Sequence, residues 1–136
     1  MIRKIDHIAI AVTKLDEEIP RYRDLLGLEF CGTEEVPEQK VKVAFFKIGD
    51  AFIELLEPLT PDSPIAGFLE KRGPGIHHLA VETSDIVGEI ATLKGKGARM
   101  LNDEPKDGAH AAKIAFVHPK SGGGVLFELK QPGAHH

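Results

Sequence analysis

The chain repeats itself over a long interval, and that repeat constrains the fold more than any other feature. His7-Ile-Ala-Ile10 matches His78-Leu-Ala-Val81, 71 positions later. Ile53-Glu-Leu-Leu-Glu-Pro58 matches Phe127-Glu-Leu-Lys-Gln-Pro132, 74 positions later. Histidine precedes glutamate by 47 residues in the first copy and by 50 in the second. A repeat of this size predicts two copies of one supersecondary unit, neither able to bury its apolar face alone.

Local patterns give each copy the same element order. Ile5–Val12 reads as a strand whose alternation puts His7 on one face with Ile5, Ala9 and Ala11. Thr13 is positioned to cap a helix, with Asp16 three residues on. That helix presents Leu15, Ile19, Tyr22 and Leu26 and ends at Gly27, with Pro20 a strain on it unless it lies near the first turn. Strands are expected over Leu28–Val36, Val41–Ile48 and Ala51–Glu57, the last two joined by a turn at Gly49-Asp50. The second copy predicts a strand at Ile76–Val81 and a helix over Asp85–Lys96 that stops at Gly97. Strands follow near Ala98–Asn102, Lys113–Val117 and Val125–Leu129. Between the copies, prolines 58, 61, 64 and 74 frame a short helix near Ile65–Lys71. The expected class is α+β: paired βαβββ modules over 3–57 and 76–132, with a linker over 58–75, forming one domain over 1–136.

The chemistry concentrates on four residues. A lone strand histidine is ordinarily a half-buried, hydrogen-bonded side chain, and a glutamate between Ile53 and Leu55 ordinarily faces solvent. Their recurrence at matched positions points instead to a centre built from His7, Glu54, His78 and Glu128. Imidazole nitrogen and carboxylate oxygen together suit divalent cobalt, nickel, zinc, manganese or iron. His77 points away from His78 in a regular strand and reads as structural or as a residue supporting the ligands from behind. His110 reads as a surface or substrate-contacting residue, and His118 opens a Gly-rich stretch that lets backbone approach a ligand or simply forms a hairpin loop. Cys31 reads as a small hydrophobe, and Glu34, Glu35 and Glu38 as a solvated rim. His135 and His136 read as a tail without a site role.

Composition closes off other classes. One cysteine in 136 residues builds neither a disulfide framework nor a Cys-rich metal site. The charge of -4, with no basic block, disfavours nucleic acid, and the absence of tryptophan with only one tyrosine disfavours extensive base stacking. No apolar run reaches the roughly 20 residues of a membrane span, and no stretch reads as a signal peptide. The expected setting is cytoplasmic.

These motifs together resemble the vicinal oxygen chelate superfamily, the glyoxalase, bleomycin-resistance and dioxygenase group. Within it they resemble the methylmalonyl-CoA epimerase family. The resemblance rests on Asp6–Ala11, Pro37-Glu-Gln39, Ile53–Pro58, Asp62–Ala66, Gly75–Ala80, Asp103–Lys106 and His118–Glu128. It implies that the two modules curl into one barrel-like cup around a divalent ion, with cobalt first and zinc, manganese or nickel as alternatives. It implies His7, Glu54, His78 and Glu128 as metal ligands, methylmalonyl-CoA as substrate and a homodimer. Gln39, Lys120, Gly122, Gly123 and Gly124 are the substrate-contacting candidates.

The chain departs from some relatives at Val43, where those place a catalytic glutamate on the third strand. The acid/base pair expected here is therefore Glu54 and Glu128. The alternatives are a glyoxalase I-type lactoylglutathione lyase and a non-enzymatic small-molecule-binding member.

Overall fold

A computed structural model describes residues 1–133; His135 and His136 lie outside the described residues. Two compact units are present, His7–His77 and residues 1–6 together with those from His78 onward.

The first unit is built on β1 (Ile2–Ala11, from His7 onward), α1 (Leu15–Pro20), β2 (Glu29–Val36), β3 (Val41–Ile48), β4 (Ala51–Pro58) and α2 (Pro64–Arg72). Its sheet runs β2-β3-β4-β1, with β1 parallel to β4 and the other pairs antiparallel. One face packs Ala44, Phe46 and Leu55 against Val12 and Leu15. Phe46 and Leu55 are 0% exposed, and burial of this kind stabilises by about 1.5–3 kcal/mol per large side chain. Alternation puts Val43, Phe45 and Glu54 on the other face, with His7 and Ala9.

The second unit repeats the plan with β5 (Gly75–Thr83, from His78 onward), α3 (Ile86–Gly95), β6 (Lys106–Asp107), β7 (Lys113–Val117) and β8 (Phe127–Gln131). Its sheet runs β5-β8-β7-β6, again with the first and last strands of the module parallel. Val81, Ala115, Val117 and Leu129 pack with Ile86 and Ile90 of α3. The opposite face carries His78, Ala80, Phe116 and Glu128. Residues 1–6 attach to this unit through charge. Arg3 Nη2 donates to Glu82 Oε2 at 2.6 Å, and Lys130 Nζ to Asp6 Oδ2 at 2.8 Å.

Several local expectations are corrected. Thr13 does not cap α1: Lys14 occupies the cap position and offers no side-chain bond. The acceptor comes from β4, where Glu57 Oε1 takes the Leu15 N–H at 2.6 Å. Pro20 closes α1 at its sixth residue and the chain widens into a π-helical turn over Arg21–Leu25, closed by Leu26 N–H donating to Arg21 O at 3.0 Å. The proline ring crowds the carbonyl four residues back and lacks an N–H, so the α pattern does not continue. The rotation leaves Leu26 57% exposed rather than core-facing, and Ile5 at 51% likewise stays out.

No strand forms over Ala98–Asn102. Met100 makes one bridge to Val117, and Asn102 Oδ1 replaces backbone by accepting the Phe116 N–H at 2.9 Å. β8 begins two residues late because Val125 N–H is still turned back onto Gly122 O. Cys31 is exposed on β2, not packed as a hydrophobe.

Candidate metal-ligand pairs

Each unit brings one histidine and one glutamate together. In the first, the parallel ladder of β1 and β4 sets Ala9 beside Glu54, with His7 two residues earlier on the same face. His7 Nδ1 lies 3.0 Å from Glu54 Oε2, with the side chains 3% and 8% exposed. In the second, the ladder of β5 and β8 sets Ala80 beside Glu128, with His78 again two residues earlier. His78 Nε2 lies 2.8 Å from Glu128 Oε1, both side chains 6% exposed. The ladder positions of histidine, alanine and glutamate are therefore the same in both halves, while the nitrogen nearest the carboxylate is Nδ1 in the first and Nε2 in the second.

The alanine in each set is small and fully buried, Ala9 and Ala80 each being 0% exposed. Both stand beside their glutamate in the ladder, so a larger side chain at either place would overpack the surroundings of the carboxylate. On its other side each glutamate has a phenylalanine: Phe45 is the antiparallel partner of Glu54, and Phe116 of Glu128. The Phe116 ring meets the His78 ring edge-on at 5.4 Å. Apolar walls of this kind hold water away from the carboxylates and strengthen electrostatic interactions beside them.

A separation of 2.8–3.0 Å suits an imidazole N–H donating to a carboxylate. It equally suits a nitrogen and an oxygen that both face one cation. Buried carboxylates and imidazoles in these numbers fit a divalent ion of intermediate softness, and nothing in the donor set calls for a sulfur-bound one.

The other candidates fall in place as follows. Gln39 ends the 3₁₀ turn Pro37–Gln39, just before Lys40 in the left-handed region. Lys120 and Gly122 belong to the 3₁₀ turn Pro119–Gly122, followed by Gly123 and Gly124 at φ of +69° and +99°. Lys120, Gly123 and Gly124 are exposed. His77 points away from His78 and packs edge-on against Phe68, with ring centroids 5.0 Å apart. His110 is exposed with φ +55°. His118 is a local cap: its Nδ1 accepts the Lys120 N–H at 3.0 Å. Its half-buried setting, then Arg99 and Lys120, hold its pKa below the ordinary 6.5. Val43 is 2% exposed and stands between Leu56 of β4 and Glu34 of β2 in the ladder.

Reading the sequence alone missed Ala9, Ala80, Phe45, Phe116, Glu57 and Gln131. A signal was present, since Ala44-Phe45 and Ala115-Phe116 repeat, as do Glu57 and Gln131 three residues after each ligand candidate.

Residues 6–116 match the family model described as the Glyoxalase/Bleomycin resistance protein/Dioxygenase superfamily. The chain belongs to that superfamily and, within it, to the methylmalonyl-CoA epimerase family. It is 45% identical over 133 residues to the ethylmalonyl-CoA/methylmalonyl-CoA epimerase of Cereibacter sphaeroides, covering 96% of this chain and 99% of that one. It is 43% identical over 129 residues to the mitochondrial methylmalonyl-CoA epimerase of Mus musculus, covering 94% and 72%. A solved methylmalonyl-CoA epimerase in complex with methylmalonyl-CoA and NH4+ superposes with a TM-score of 0.95 at 40% identity, covering 98% of this chain and 97% of that chain.

Proposed function

We propose that the chain is a metal-dependent methylmalonyl-CoA epimerase that interconverts the R and S thioesters by removing and returning the proton at C2. One observation carries the reading. The same buried imidazole–carboxylate pair occurs in both halves of a chain 45% identical to an ethylmalonyl-CoA/methylmalonyl-CoA epimerase. In this reading His7, Glu54, His78 and Glu128 together hold one divalent ion in a cup shared by the two modules. Cobalt is the first candidate, and zinc, manganese and nickel suit the same donors.

Held by His7, Glu54, His78 and Glu128, a bound divalent ion would supply positive charge that stabilises the negative charge developing on the thioester as C2 loses its proton. The chain's own residues do the rest. Inversion at C2 requires a proton taken from one face and returned on the other. Two carboxylates contributed by two different halves meet that requirement, and Glu54 and Glu128 are assigned the roles. The apolar character of Val43 supports giving the second role to Glu54 and not to the third strand. Phe45 and Phe116 beside the two carboxylates limit the access of water that would compete for the proton. Gln39 and the turn carrying Lys120 and Gly122–Gly124 are assigned to the substrate's carboxylate and thioester region. A homodimer in the cytoplasm completes the reading.

The test joins metal content to isotope exchange. The purified protein, loaded with cobalt and assayed for bound metal, is given (R)- or (S)-methylmalonyl-CoA in deuterated water. The expected result is about one ion per chain, deuterium at C2 and convergence of both stereoisomers on one mixture. Full metal occupancy with neither exchange nor epimerisation would overturn the proposal.

A further inference from the structure

Beyond the ligands, both units contain one further contact at the same place in the repeat. Eight residues after each histidine, the first N–H of a helix donates to a side chain three residues after the paired glutamate. Leu15 N–H donates to Glu57 Oε1 at 2.6 Å, and Ile86 N–H to Gln131 Oε1 at 2.8 Å. The partners are 42 and 45 residues apart in sequence, so neither contact is a local cap. In α3 the local cap is separate: Asp85 Oδ1 accepts the Gly88 N–H at 3.1 Å.

The helix start and the strand end are therefore fastened at a point, in addition to the ladder. Parallel ladder bonds are slanted and resist sliding of one strand along the other less directly than an end stop does. Such sliding changes the separation of His7 and Glu54, or of His78 and Glu128, because each pair bridges those two strands. Leu15 and Ile86 are each 2% exposed, so the helix ends that carry the donors are themselves fixed in the core. Glutamate and glutamine differ in charge but share their length and an acceptor oxygen at its end. Its retention at both places, with a different charge, identifies that oxygen as the functional element.

We propose that Glu57 and Gln131 are positioning residues that set the histidine–glutamate separation in each half and thereby the affinity for the ion. The inference rests on the metal-dependent reading above. Groups bonded directly to ligands typically change metal affinity by about 10–100-fold when removed; Glu57 and Gln131 bond the helix starts instead, which places the expected effect at the lower end of that range.

The experiment measures cobalt affinity by titration of the full chain, followed through the visible absorption of the bound ion, alongside the thermal midpoint of the metal-free protein. Gln131→Met removes the acceptor at similar volume, Gln131→Glu keeps it, and Asp85→Ala weakens the same helix through its local cap alone. The expected result is a loss of about tenfold or more in cobalt affinity with an altered absorption band for Gln131→Met. Near-wild-type affinity is expected for Gln131→Glu, and a lowered midpoint with unchanged cobalt affinity for Asp85→Ala. Unchanged affinity and spectrum in Gln131→Met, with only a lowered midpoint, would overturn the inference and leave the metal reading intact. Equal loss in Asp85→Ala would also overturn it, since the effect would then be general helix stability. Should Gln131→Met not fold, Glu57→Met against Glu57→Gln makes the same comparison in the first unit. Absence of cobalt binding by the unaltered chain would sink both the metal reading and this inference.

Discussion

Ala80 lies beside Glu128 in the parallel ladder of β5 and β8, with none of its surface exposed. Ala9 lies beside Glu54 in the same way. Each alanine is fully buried beside its glutamate, so a larger side chain there would press on the carboxylate and its histidine. Ala80→Val is expected to lower stability by about 1–3 kcal/mol through overpacking and to weaken cobalt binding as well. Ala80→Ser, which adds little volume, is expected to keep most of the affinity. Urea unfolding and metal titration on both variants check this. A valine variant with unaltered metal binding would show that the carboxylate tolerates a larger neighbour.

The two glutamates have separable roles under the proposed chemistry. Glu54→Gln and Glu128→Gln are each expected to reduce epimerisation by about 100-fold or more, the scale of one lost acid/base group. Each variant is also expected to retain C2 exchange from one stereoisomer while losing it from the other. Proton NMR of each stereoisomer in deuterated water reads this directly, provided bound metal is measured on the same samples. If one variant exchanges both stereoisomers at the original rate with full metal, that glutamate handles no proton.

Lys130 and Asp6 form a largely buried ion pair, 2.8 Å apart, with side chains 15% and 9% exposed. Removing the cation alone leaves a carboxylate in a poorly solvated place. Lys130→Met is expected to cost about 3 kcal/mol, the lower end for breaking such a pair. The double change Asp6→Asn with Lys130→Met is expected to recover part of that loss. A double-mutant cycle by chemical denaturation measures the coupling, and strict additivity would show that the pair contributes nothing beyond its separate side chains.

His118 gives a pH signature. Its pKa is held below the ordinary 6.5 by its half-buried setting and then by Arg99 and Lys120. Between the folded and unfolded values the unfolded chain binds more protons, so stability rises with pH in that window. His118's contribution is therefore complete above the unfolded value and is lost as pH falls toward the folded value. The bond from the Lys120 N–H to Nδ1 goes with it, since a protonated Nδ1 cannot accept. His118→Ala is expected to flatten the dependence of the thermal midpoint on pH just below 6.5. An unchanged slope in that variant would remove His118 as its source.

The parts of this molecule legible in the sequence are those whose causes are local or repeated. β3 spans Val41–Ile48 and β7 spans Lys113–Val117, as their alternation and flanking turns indicate. His7 with Glu54 and His78 with Glu128 stand out because the same letters recur at the same strand positions. The helix start at Leu15 was assigned to Thr13 because the capping rule looks only a few residues along the chain, whereas the true acceptor, Glu57, arrives from β4. Asn102 hid a similar substitution, a side chain doing the work of a strand's backbone toward Phe116. Ala9 and Ala80 carry no signal of their own in the sequence. Their importance comes from which residue stands next to them in the ladder, and register is not visible one strand at a time.

The ligand-bearing strands neighbour each other directly in both units, while β2 and β6 lie at the far end of the order in their sheets. Phe45 and Phe116 each follow their histidine by 38 residues, whereas Glu54 follows Phe45 by 9 and Glu128 follows Phe116 by 12, so the three-residue difference between the 47- and 50-residue spacings lies in the connection from β7 to β8. Length can therefore change in that connection while the ladders keep each histidine and glutamate in the same register. The segment whose length differs between the halves is thus the turn assigned to the substrate, and a lineage, or an engineer, seeking a different acyl group can alter that turn while the paired strands on either side stay in place.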